Sequence, residues 1–174
     1  MSQQFLDITL TVNGEEHCIK VEPRYTLADA IRNQCGLTGT HLGCEHGVCG
    51  ACNVLVDGEP IRSCLMFAIQ AEGANIRTVE SLSNGDNLHP LQEAFIEHHA
   101  LQCGFCTPGF LMLLAGSLER NPDLTDRELK DVLSSNLCRC TGYQNIIKAA
   151  RAGADEMKRK TAGQTIRSDV LTET

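Results

Sequence analysis

Cys44, Cys49 and Cys52 form a Cys-x4-Cys-x2-Cys run, and a fourth thiol, Cys64, follows after eleven residues. Thiolates at this spacing close on the two irons of a plant-type [2Fe–2S] cluster. Gly43, Gly47 and Gly50 lie among them and let the chain bend around such a group while backbone amides approach the sulfurs. Structural zinc usually takes ligand pairs from two separated knuckles. Three cysteines packed between residues 44 and 52 do not match that pattern, so the spacing points to a one-electron redox centre.

A second set is Cys103-x2-Cys106 with Cys138-x-Cys140. Two close pairs suit a four-cysteine zinc site as well as a second [2Fe–2S] cluster, and spacing alone leaves both open. Cys106 directly precedes a helix start at Thr107-Pro108, and Cys140 stands just ahead of another after Gly142. Two positive helix ends facing one site favour an anionic centre. Either metal with four thiolates is anionic, at about −2 when oxidised, so the helix ends do not choose between them. Cys18 and Cys35 fall outside both sets and are expected to be small buried hydrophobes.

Other tempting side chains have plainer readings. His46 sits inside the first cysteine loop, where four thiols already fill the site, and is expected to be exposed or to face a partner. His98-His99 reads as a solvated helix end, and so does the Met157-Lys158-Arg159-Lys160 run. Arg139, between two thiols, would either place a cation beside the cluster or remain on the surface. No nucleophile–base pair carries a signature, so no catalytic residue is expected on this chain.

The elements that must hold these thiols follow from patterning. Phe5, Ile8, Leu10 and Val12 alternate with polar residues as a half-buried strand, Asn13-Gly14 is a type I′ turn, and a second strand runs from His17 to Val21. Thr26 with Asp29 caps a helix that Gly36 stops. Ala51–Val56, the Asp57-Gly58 turn and a strand from Ile61 make a second hairpin, with one more strand over Ile76–Val79. After a polar linker at 81–87 the period becomes helical. Pro90, Thr107-Pro108, the Thr125–Glu128 capping box and Gly142 open four helices. The expected organisation is a ferredoxin-like unit over 1–80, a helical cluster-binding unit over 88–160 and a polar tail over 161–174, an α+β architecture.

Composition excludes several classes. The chain has 174 residues, 42% of them hydrophobic and 21% charged, a globular balance rather than a disordered one. Aromatics make up 4% and the net charge is −7, so neither base stacking nor a phosphate backbone is an expected partner. The N-terminus lacks a basic start and a long apolar run, and no stretch nears the ~20 apolar residues of a membrane span. A cytoplasmic chain is expected, and there clustered cysteines hold metal rather than form disulfides.

The segments Gly43–Cys52, Gln102–Gly109 and Cys138–Tyr143 together resemble the iron–sulfur subunit of the molybdenum hydroxylases, the xanthine oxidase family, in its bacterial three-subunit form. The resemblance covers roughly residues 5 to 160, with both motif sets in the same order. It implies a β-grasp, ferredoxin-like domain followed by a four-helix bundle, each with a [2Fe–2S] cluster. It implies that Cys103, Cys106, Cys138 and Cys140 hold the cluster near a molybdopterin cofactor on a large subunit. Cys44, Cys49, Cys52 and Cys64 would hold the one nearer FAD on a medium subunit. Gln102 and Cys140 match the family's pterin-contacting positions. The implied assembly is a dimer of heterotrimers that hydroxylates an aromatic N-heterocycle, a purine or an aldehyde. The small subunit of a carbon monoxide dehydrogenase is a related alternative, and a free-standing two-cluster ferredoxin or a zinc-stabilised module are unrelated ones. The sequence departs from the family at Asn53, where threonine is common.

Overall fold

The computed structural model describes the backbone of residues 4–171 and the side chains of residues 4–161. Leu6–Val12 (β1) and Glu15–Val21 (β2) pair antiparallel from Leu6↔Val21 to Val12↔Glu15. At the turn between them Asn13 and Gly14 have φ of 53° and 84°, the left-handed pair a type I′ turn requires. Ile8, Leu10, Val12, Ile19 and Val21 are buried, the two-residue period of strands with one covered face. That same period turns Cys18 outward. It is exposed beside Thr9 and is not the buried hydrophobe expected, because Ile19 and Val21 claim the core face. Cys35 is half-buried against the sheet core.

Thr26 caps a short helix, Leu27–Asp29 (α1), accepting the Asp29 amide at 3.1 Å. The chain then continues as a π-helical turn over Ala30–Gln34 rather than as α-helix to Gly36, and the Cys35 amide reaches back to the Ala30 carbonyl at 3.0 Å. The first amides of α1, which no helical carbonyl can serve, are taken by the segment that carries Cys64. Leu27 donates to the Met66 carbonyl at 2.7 Å and Ala28 to the Ser63 carbonyl at 3.1 Å. Helix and cysteine segment are thereby fixed to each other.

Asn53–Val56 (β3) and Glu59–Arg62 (β4) form the second hairpin, and Asn75–Arg77 (β5) is shorter than the strand expected, because Val79–Ser81 turns as a 3-10 helix. The five-stranded sheet has the order β2-β1-β5-β3-β4, with β1 and β5 parallel and the other neighbours antiparallel. Leu27, Ala30 and Ile31 cover it, which makes the α+β arrangement.

The second half holds Pro90–Glu97 (α2), Thr107–Arg120 (α3), Asp126–Ser134 (α4) and Gln144–Leu171 (α5). Capping chemistry sets the starts. Thr125 accepts the Glu128 amide while the Glu128 carboxylate takes the Thr125 amide at 2.8 Å. The Thr125 hydroxyl and amide also hold the Glu128 carboxyl below the usual carboxylate range. α5 does not end near residue 160. It runs through most of the segment read as a polar tail, where no proline interrupts it. α2 packs on α3 and α5, and α4 packs on α3 and α5, around Leu91, Phe95, Phe110, Leu114, Leu129, Leu133, Ile146 and Ala150.

α3 also lies across β3 and β4. Leu55 of β3 belongs to the helical core. Gly116 makes room for it, since a Cβ there would come within 2.6 Å of Leu55 Cδ2 and 2.9 Å of Pro60 Cγ. Near the start of α3, Gly109 rests on the first cysteine loop. A Cβ at Gly109 would overlap the Gly50 carbonyl oxygen and stand 2.9 Å from Ala51 Cα. Those are backbone atoms and cannot rotate aside. Gly109→Ala is therefore expected to cost about 1–3 kcal/mol, read as a lowered thermal unfolding midpoint of the cluster-loaded chain. An unchanged midpoint would mean that α3 does not press on this loop.

Candidate iron–sulfur sites

The first cysteine set lies on the loop between α1 and β3, with Cys64 just beyond β4. Cys52 and Cys64 are buried and in contact, while Cys44 and Cys49 are half-buried. The Cys49 amide donates to the Cys44 sulfur at 3.3 Å. Hydrogen bonds from the Cys49 and His46 amides pull the Cys44 thiol down to about 6. Burial, and then the neighbouring Cys52 thiol, push Cys64 up to about 11. Gly47 and Gly50 have φ of 84° and 74°, and a Cβ on Gly50 would overlap the Asn136 amide. His46 is exposed, with Nδ1 at 2.5 Å from the Cys44 carbonyl oxygen, so its ring serves the loop backbone.

The second set joins the loops before α3 and α5. Cys140 and Cys103 are exposed, and their sulfurs lie 3.5 Å apart. Cys106 and Cys138 are half-buried neighbours. A tetrahedral metal with sulfur at about 2.3 Å holds two thiolates roughly 3.8 Å apart, close to the Cys103–Cys140 spacing. Burial, and then Cys138, push the Cys106 thiol up to about 12. Burial also raises Cys138, but the Thr141 hydroxyl at 3.1 Å and its amide at 3.5 Å outweigh it, and that thiol lies below its ordinary value. The Cys103 side chain raises Cys140.

Each set thus consists of an inner and an outer pair. A structural zinc needs four ligands about one ion, whereas a two-iron core takes two thiolates at each iron. Paired sulfurs with amide donors aimed at them fit the two-iron group at both sites.

The two loops touch directly. The Leu137 amide donates to the Cys49 carbonyl at 2.9 Å. His41 stacks on Phe105 at 5.0 Å and bonds its carbonyl at 2.8 Å. Around the outer pair of the second set, Leu101, Phe105 and Leu137 are exposed, as are Gln102 and Arg139. Phe105, Leu137, Arg139 and the four cysteines line a cavity of about 250 Å³. Thr141 and Tyr143 serve the second site through Cys138, and Arg62, Asn53 and Asn136 stand between the two loops; motif reading singles out only Asn53 among them, as a departure from the family.

Two family models match this chain. A "2Fe-2S iron-sulfur cluster binding domain" covers residues 10–82 and a "[2Fe-2S] binding domain" covers residues 78–151. The small subunit of nicotine 6-hydroxylase from Paenarthrobacter nicotinovorans is 58% identical over 83% of this chain and 87% of its own length. Subunit gamma of a caffeine dehydrogenase from Pseudomonas sp. (strain CBB1) is 57% identical, over 83% of this chain and 89% of that subunit. The chain belongs to the iron–sulfur subunits of the molybdenum hydroxylase family. A crystal structure of quinoline 2-oxidoreductase from Pseudomonas putida 86 matches with a TM-score of 0.85 and 52% identity, over 91% of this chain and 98% of that one. Family membership settles what spacing left open for the second set: both halves carry [2Fe–2S]-binding domains.

Thiols must lose their protons to bind iron. Cys64 and Cys106, at about 11 and 12, are protonated at neutral pH. Cluster assembly on the iron-free chain at pH 7 is therefore expected to release protons and to become more favourable as pH rises. It should weaken further as pH falls through about 6, where Cys44 protonates. Anaerobic reconstitution in weak buffer with a pH indicator checks this, and proton-neutral assembly would contradict it.

Proposed function

We propose that this chain is the electron-transferring subunit of a molybdenum-dependent hydroxylase whose substrate is an aromatic N-heterocycle. The observation that carries the reading is the hydrogen bond from Leu137 to Cys49. It joins two paired-cysteine sites within one rigid chain, so that an electron entering one has a short bonded route to the other. When bound, each cluster takes up and gives up one electron at a time. The amides and hydroxyls aimed at the sulfurs stabilise the charge, and burial of the inner pairs keeps water away.

In this reading Cys103, Cys106, Cys138 and Cys140 hold the cluster nearest a molybdopterin centre on a large subunit. Gln102, with its amide donors and acceptor, and Cys140 meet the pterin there. Cys44, Cys49, Cys52 and Cys64 hold the cluster that passes electrons to FAD on a medium subunit. A β-grasp unit over 1–80 and a four-helix bundle over 88–160 carry the two groups, in a cytoplasmic dimer of heterotrimers. The overall reaction is R–H + H2O → R–OH + 2 e⁻ + 2 H⁺, and this chain carries the two electrons singly. The named relatives act on nicotine and caffeine and the structural neighbour on quinoline, which favours a ring N-heterocycle, purines included, over an aldehyde or carbon monoxide.

The surface supports a subunit over a free carrier. Leu101, Phe105 and Leu137 are exposed at one site's mouth, and Val48, Leu65 and Phe67 near the other. Such patches mark surfaces that partners cover. The chain captured with its native partners is expected to hold about four irons and to co-purify with molybdenum. In that complex Cys106→Ser should abolish flavin reduction by substrate while the molybdenum content persists. Flavin reduction at the wild-type rate would refute the path, and an iron-loaded chain that purifies alone would favour the free ferredoxin.

A further inference from the structure

Loops hold a distance only as well as the side chains packed on them allow. Three residues that bind no metal perform this task at the junction of the two cysteine loops. Arg62, at the end of β4, donates through Nε to the Gly47 carbonyl at 3.3 Å and through Nη2 to the Ser135 carbonyl at 2.5 Å. Its Nη1 reaches Asn53 Oδ1. One guanidinium thereby ties the first cysteine loop to the segment that leads into Cys138, a use for which its planar fork is suited.

Asn53, only 2% exposed, donates through Nδ2 to the Gly109 carbonyl and to Asn136 Oδ1, both at 3.1 Å. Asn136, 1% exposed, donates to the Gly50 carbonyl at 3.4 Å. Its own carbonyl accepts the Tyr143 hydroxyl at 3.1 Å, and that hydroxyl oxygen accepts the Cys138 amide at 2.9 Å. The bonds form one connected network from Gly47 in the first loop to Cys138 in the second. Apolar packing alone would join the halves without fixing their register to a few tenths of an ångström. A fully satisfied buried polar network is directional and does fix it.

We propose that Arg62, Asn53 and Asn136 are positioning residues for electron transfer. Their network clamps the Leu137–Cys49 bridge and so sets the separation and coupling of the two clusters. The inference rests on the electron-transfer reading above. Its loss would loosen the bridge while leaving all eight cysteines of the two sets in place.

The test compares the native complex with complexes carrying Asn53→Ala, Asn53→Thr and Arg62→Lys. Iron content, the magnetic splitting between the two reduced clusters in their electron paramagnetic resonance spectra, and the rate of electron passage between them are measured. All three variants are expected to keep about four irons. Asn53→Ala should weaken the splitting and slow inter-cluster transfer by about ten-fold. Asn53→Thr and Arg62→Lys, which keep a polar group or the charge, should fall between it and the wild type. If Asn53→Ala loses iron, the two milder variants carry the comparison. Wild-type splitting and rate in iron-replete variants, even with a lower unfolding midpoint, would overturn the clamp and leave only a structural role. The electron-transfer reading itself would fail differently, by a wild-type complex in which substrate reduces neither cluster.

Discussion

Two cysteine loops from opposite halves of the chain meet backbone to backbone, and the rest of the molecule is arranged so that nothing comes between them. Gly109 rests on the Gly50 carbonyl, and Leu137 donates to Cys49. No side chain larger than hydrogen fits at Gly109, and the positive φ of Gly50 coincides with its close approach to Asn136. This contact dictates where α3 begins and why it crosses β3 and β4 rather than packing only on its sister helices. It also accounts for buried amides in a junction that simple hydrophobic burial would fill with leucine.

Both sites are graded from inside to outside. Cys52 and Cys64 are buried, and Cys106 is far less open than Cys103 and Cys140. Burial makes Cys64 and Cys106 resist ionisation, while amides or a hydroxyl make Cys44 and Cys138 favour it. Without iron Cys64 and Cys106 keep their protons at neutral pH, and metal charge brings them to the thiolate form. The exposed rim of Leu101, Phe105 and Leu137 surrounds the open end of one site, where a covering surface would exclude water.

Much of this was legible in the sequence. Cysteine spacing, the two Asx-Gly hairpin turns and the Thr125–Glu128 capping box depend on residues a few positions apart, and such local chemistry is written locally. Two errors were local as well. The two-residue period of β2 already turned Cys18 outward, and the want of a proline after residue 160 already allowed α5 to continue. The π-helical turn after Asp29 was not legible, because the amides of α1 are claimed by Ser63 and Met66 from far along the chain. The Arg62–Asn53–Asn136 network was hidden for the same reason: its members are up to 83 residues apart, Arg62 and Asn136 alone read as ordinary polar residues, and Asn53 stands out only as a departure from the family's threonine. The choice of metal at the second site stayed open too, since two cysteine pairs have the same spacing whether they surround one ion or two.

Leu55 belongs to a β-hairpin by sequence and to the helical core by packing. Two bodies joined by a tether diffuse against each other, and any process that needs them close must wait for an encounter. A shared core removes that wait. With the halves so joined and the polar network holding their register, the interval between the two cysteine loops belongs to the fold and is not an average over swinging halves.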